Sequence, residues 1–68
     1  MTAEEKAARA KRVSATTSLG DLYFENGEFD NAIQEYQLGL DADPSNKSLR
    51  DKLDRARKAK EAAPTSKP

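Results

Sequence analysis

Sixty-eight residues, 35% of them hydrophobic and 35% charged, make at most one small domain and exclude a large core. With neither cysteine nor histidine, the chain has no disulfide, no thiolate metal site and none of the commonest general base. Its net charge is zero but sorted: seven acids and no base between Asp21 and Asp43, and seven bases against Asp51 and Asp54 between Lys47 and Lys60.

Residues 2–12 are rich in Ala, Glu, Lys and Arg, all strong helix formers, and Thr2 with Glu5 has the spacing of a capping box. This segment has almost no apolar face, so a solvated helical extension is expected over 1–12. "SATTS" at 14–18 is poor in helix formers but contains no breaker, and the helix is expected to continue through it to about Asn26. Ala15, Leu19, Leu22 and Tyr23 recur at three- and four-residue steps and predict the buried stripe of this helix. Asn26-Gly27 then reads as a helix stop, because glycine takes the left-handed conformation just past the last turn. Asn-Gly is also the strongest short hairpin signal. The flanks do not alternate as strands would, so the helix stop is preferred.

A second helix is expected from about Glu28–Asp30, where acids suit the positive end of the helix dipole. Phe29, Ala32, Ile33, Tyr36 and Leu40 again step by three and four. It must end before Pro44, since the residue preceding a proline avoids helical angles. "DPSN" is a turn in which Ser45 or Asn46 can cap a third helix, about 47–62. That helix carries only Leu49, Leu53, Ala56 and Ala59 on its apolar side. Residues 63–68 read as a disordered tail by composition.

From Val13 to Asn46 the chain resembles one tetratricopeptide repeat, a helix-turn-helix unit of about 34 residues. Leu19-Gly20 followed by Tyr23 fits the family's L-G-x-x-Y core, and Ala32 with Tyr36 fits its A-x-x-x-F with tyrosine for phenylalanine. Asn26-Gly27 with Phe29-Asp30 fits the inter-helix turn, and Pro44 falls where the terminal proline belongs. The resemblance implies an all-α fold: an antiparallel helical hairpin over 13–46, closed by a polar capping helix over 47–62. It makes Leu19, Gly20, Tyr23, Ala32, Tyr36, Gly39, Leu40 and Pro44 the structural residues of the repeat. Independently, small residues at Gly20 and Ala32 let two helices approach closely beside Tyr23 and Tyr36, and Gly39 offers a third close contact.

Two positions depart from the family pattern. Thr16 stands where the repeat carries a large aromatic, which leaves a cavity costing about 2–4 kcal/mol or invites a neighbouring chain. Leu38 stands where the repeat carries an outward polar residue. Both are candidate self-association positions, and arrays of such repeats usually need about three units for stability. A homodimer is therefore expected, with the acidic hairpin of one chain against a basic flank of another.

The same resemblance makes the groove-facing residues Ser14, Thr17, Ser18, Asp21, Phe24 and Glu25. Family members that clamp a peptide C-terminus present Lys and Asn on this face. Thr17 and Asp21 hold the matching places here, so a carboxylate clamp is not supported. An acidic, hydroxyl-bearing face with one aromatic suggests a basic or amphipathic protein or peptide. The expected role is non-catalytic protein–protein interaction, as a small adaptor or as an excised or designed repeat fragment.

Catalysis is not expected: Asp21 and Glu25 lie one turn apart, but no deep pocket is foreseen to tune a carboxylate, and no phosphate loop, nucleophile elbow or metal spacing occurs. No cofactor or metal is implied. The bases of 47–60 could track a phosphate backbone, making weak nucleic-acid binding the alternative, but no aromatic is interleaved to stack bases. No apolar run reaches the roughly 20 residues that span a bilayer, and the N-terminus lacks a secretory core, so a soluble, cytoplasmic chain away from membranes is expected.

Overall fold

The computed structural model describes residues 2–62, and the expected tail at 63–68 lies outside the described residues. The fold is all-α, with three helices in chain order: α1 (Ala3–Glu25), α2 (Phe29–Ala42) and α3 (Lys47–Ala62). Several of their ends are set by local chemistry. At the start of α1, the Glu5 amide donates to Thr2 Oγ1 at 3.2 Å while the Thr2 amide donates to Glu5 Oε1 at 2.9 Å, the reciprocal capping box.

The helix then runs unbroken through the hydroxyl-rich stretch. Thr16 and Thr17 both turn their hydroxyls back onto the Val13 carbonyl, at 3.1 and 2.7 Å, which satisfies them without leaving the helix. Its end is a Schellman turn: the Glu28 amide donates to the Tyr23 carbonyl at 2.8 Å and the Gly27 amide to that of Phe24 at 3.0 Å. Gly27 has φ of 80°, the left-handed conformation this turn requires. Asp30 lies in the first turn of α2, and the helix closes at Ala42, two residues before Pro44. Asn46 starts α3 by accepting the Leu49 amide at 2.9 Å on its side-chain oxygen.

α1 and α2 are antiparallel, because Thr16 faces Gly39, Gly20 faces Tyr36, and Phe24 meets Phe29. α3 returns antiparallel to α2, with Leu49 near Gly39 at one end and Lys60 bridged to Asp30 at the other. α2 is thus the central element. At 1.5 Å per residue α1 is about 34 Å long and α2 about 21 Å. Val13 lies level with the end of α2, so residues 3–12 overhang it, consistent with a molecule 47 Å long and only 17 by 13 Å across.

The core consists of Ala32, Tyr36, Leu49, Leu53 and Ala56, with Val13, Tyr23, Phe24, Ile33 and Leu40 packed around it. α1 contributes only Thr16 and Gly20 as buried residues. This corrects the expected stripe. Leu19 is 44% exposed and Leu22 55% exposed, and Ala15 is exposed as well. The inward face is instead the row one position over, through Val13, Thr16, Gly20 and Tyr23.

Sterics decide it. A Cβ on Gly20 would lie 2.7 Å from Cδ1 of Tyr36, so the aromatic ring needs a residue without a side chain opposite it. Of the structural residues implied by the repeat, Gly20, Ala32, Tyr36 and Gly39 are buried, and Tyr23 and Leu40 partly so, while Leu19 and Pro44 are exposed.

Thr16 also departs from its expected role. It is 8% exposed and seated against Gly39, so a neighbouring chain could reach it only by prising the hairpin open. Leu38 is 48% exposed, and it lies 200° around α2 from buried Tyr36, on the outer side of that helix.

Candidate functional site

α3 runs back alongside α1, and between them lies an open cleft of about 370 Å³ lined by Asp21, Phe24, Glu25, Tyr36, Lys52 and Arg55. The side chains arrive there by helix geometry. On α1, Asp21, Phe24 and Glu25 are one turn apart on one face. On α3, Lys52 and Arg55 each directly precede a buried residue, Leu53 and Ala56. A step of one residue rotates 100°, so both fall on the same shoulder of the apolar stripe.

At the floor of the cleft, Asp21 joins all three helices. Tyr36 Oη donates to Asp21 Oδ1 at 2.5 Å, and Lys52 Nζ donates to Oδ1 at 3.0 Å and Oδ2 at 3.2 Å. Partial burial pushes the Asp21 pKa up, but the bonds from Tyr36 and Lys52 and the positive charge of Lys52 outweigh it, so the carboxyl titrates below its ordinary 3.8. Tyr36 is driven above its ordinary 10.0, first by burial and then by its bond to the Asp21 carboxylate and that group's charge. The phenol therefore stays protonated and committed to Asp21 across neutral pH.

The mouth of the cleft is formed by Phe24, Glu25 and Arg55. Phe24 is half-buried and stands edge-on to Phe29, with ring centroids 5.3 Å apart at 65°. Glu25 and Arg55 are exposed and form no ion pair with another described residue. The upper part of the cleft thus combines one aromatic face with one charge of each sign.

The six groove residues expected from the repeat do not converge as a set. Asp21, Phe24 and Glu25 share the cleft, and Asp21 is already occupied by Tyr36 and Lys52. Thr17 is half-buried and bonded to its own helix. Ser14 lines a different hollow, with Lys6, Arg9, Ala10, Val13 and Asp43 at the far end of the hairpin. Ser18 is exposed beside Leu19 and Leu22.

Lys52 and Arg55 were not singled out among the bases of α3. Their signal was available: both immediately precede positions of the apolar stripe and so sit at the edge of the core rather than in open water. Lys52 and Lys60 are held by Asp21 and Asp30, which removes two of the seven bases from a free basic face. Among the described residues, no three acids converge as metal ligands, and no helix is long and apolar enough to cross a membrane.

The fold and cleft define a class no narrower than a small all-α, three-helix chain with a mixed-charge surface cleft. Compared with family profiles, curated proteins and solved structures, the chain finds no match.

Proposed function

We propose that the chain is a non-catalytic protein-interaction module, a single tetratricopeptide-like hairpin closed by α3, whose cleft takes an amphipathic peptide segment. The observation that carries this is the composition of the cleft, where the exposed part of Phe24 is accompanied by the exposed charges of Glu25 and Arg55. An apolar side chain of a peptide would lie on Phe24, and charges of both signs flanking it would meet Arg55 and Glu25. Asp21 contributes as the tie that links the cleft walls, rather than as a contact, because its oxygens are already engaged.

The arrangement also argues against acid–base chemistry. Asp21 and Tyr36 are bonded to each other, and both are shifted away from neutral pH, where a general acid or base would need to be poised.

The test is selection of displayed random dodecapeptides on the full chain. The expected result is enrichment of peptides with an apolar residue between charges of opposite sign. Their binding should be weakened in Arg55→Glu with helicity unchanged by circular dichroism, and lost in Phe24→Ala by more than any accompanying loss of helicity accounts for. Failure to enrich any sequence, or binding indifferent to both substitutions, overturns the proposal.

A further inference from the structure

The outward face of α1 carries Ala15, Leu19 and Leu22 at positions i, i+4 and i+7, one continuous line along the helix. All three are exposed, and two of the chain's six leucines are spent there. Scattered exposed leucines need no explanation. These are aligned, however, and their surroundings specify what would cover them.

Lys11, Ser18 and Glu25 follow one another at seven-residue steps along one edge of the line, and all are exposed. Neither Lys11 nor Glu25 has an ion-pair partner among the described residues. The geometry points to a second copy of this chain as the occupant, with the two α1 helices packed antiparallel about a two-fold axis near Ser18.

In that register, Ser18 of one copy lies opposite Ser18 of the other, and the remaining positions follow by counting outward in opposite directions. Counting places Leu22 of each copy level with Ser14 of the other and one residue, about 1.5 Å of rise, from Ala15, the small member of the apolar line, so Leu22 packs over Ala15 in both halves. The two Leu19 side chains meet near the axis. On the rim, Lys11 of each copy falls opposite Glu25 of the other, which closes two ion pairs by symmetry.

A parallel arrangement has neither feature, since it sets Ala15 against Ala15 and like charges against like. The apolar line is distinct from the α1/α3 cleft, although Glu25 borders both, so Leu22→Glu tests the dimer without touching the peptide site. A contact made by one helix from each copy is small, and association is expected to be weak and concentration-dependent.

The test is sedimentation equilibrium of the full chain from micromolar to millimolar concentration. The expected result is a reversible monomer–dimer equilibrium, weakened roughly tenfold or more by Leu22→Glu, because a carboxylate would be buried without a partner. Lys11→Glu and Glu25→Lys should each weaken it several-fold, and the double exchange should recover it. Helicity and the dilute-solution melting temperature should be unchanged in all of these variants.

Because the chain has no cysteine, Ala15→Cys and Leu22→Cys chains can be mixed and oxidised. Crosslinking between unlike variants supports the antiparallel register. A monomer at every concentration, a dimer indifferent to Leu22→Glu, a dimer broken instead by Leu38→Glu, or crosslinks only between two Leu22→Cys chains would each overturn it.

Discussion

The two joints of this molecule are built on opposite principles. Where α3 meets α2, large aliphatic side chains do the packing: Leu49 and Leu53 are 1% and 5% exposed. Where α1 meets α2, the buried residues of α1 are a glycine and a threonine, and the bulk comes across from Tyr36. The first joint is stabilised by apolar area removed from water. The second depends on backbone closeness, an aromatic ring against a bare Cα and a glycine against a threonine. A joint of the first kind weakens when a side chain shrinks, and one of the second kind weakens when a side chain grows.

Leu49→Ala should produce the largest effect. Leu49 is fully buried and touches the Gly39 gap, so truncation should cost about 2–5 kcal/mol, comparable to the whole stability of a domain this small. Urea titration followed by circular dichroism should show a chain largely unfolded in buffer.

Gly20→Ala breaks the other joint by enlargement. The new methyl would collide with the Tyr36 ring, which cannot retreat because its hydroxyl is fixed to Asp21. Overpacking of about 1–3 kcal/mol outweighs the roughly 1 kcal/mol that alanine gains in helix propensity. A net loss of about 1 kcal/mol is expected, where an exposed helical glycine would show a gain.

Gly39→Ala should cost less than Gly20→Ala. Its Cβ would meet Thr16 Oγ1 at 2.6 Å and Leu49 Cδ1 at 2.7 Å, which are side-chain ends rather than the flat of a ring. Paired melting curves of the two variants rank them directly. A larger loss for Gly39→Ala would show that the Thr16 and Leu49 side-chain ends yield less than the Tyr36 ring.

The smallest expected effect is the pH dependence contributed by Asp21 and Tyr36. Because the Asp21 pKa is lowered on folding, its contribution is present above about pH 3.8 and is lost as the medium becomes more acidic. Because the Tyr36 pKa is raised, its contribution is complete below about pH 10.0 and declines above it, where the unfolded tyrosine ionises first. Asp21→Asn should flatten the acid limb of stability against pH, and Tyr36→Phe the alkaline limb. A Tyr36→Phe profile identical to the parent's would show that the hydroxyl does not couple folding to proton binding.

The contrast between the joints also explains which parts of the fold were legible in the sequence. Helix ends were, because they are set by local chemistry: Thr2 with Glu5, Asn26-Gly27, Asn46 and Pro44 each act within a few residues of themselves. The inner face of α3 was as well, since apolar area is what a periodicity of leucines measures. The inner face of α1 was not. Hydrophobic periodicity ranks Leu19 and Leu22 above Gly20 and Thr16, whereas the ring of Tyr36 selects for absence of volume, a property that no count of apolar residues registers.

Gly20 and Ala32 were readable as close-approach points from their small size beside Tyr23 and Tyr36, a steric cue that hydrophobic periodicity does not carry. Within the candidate site, Phe24 and Glu25 lay on a recognisable face of α1. Lys52 and Arg55 belonged to a helix whose return alongside α1 is a tertiary fact.

The central position of α2 bears on how the molecule comes apart. Its neighbours meet each other mainly through Lys52 and Asp21, so either outer helix can peel away while the remaining pair stays docked. Amides of α2 then become accessible to solvent exchange only when both separations occur together. Those of the overhanging first turns of α1 exchange through fraying alone. Deuterium uptake should therefore proceed in three tiers, slowest in the middle of the chain and fastest at residues 3–12.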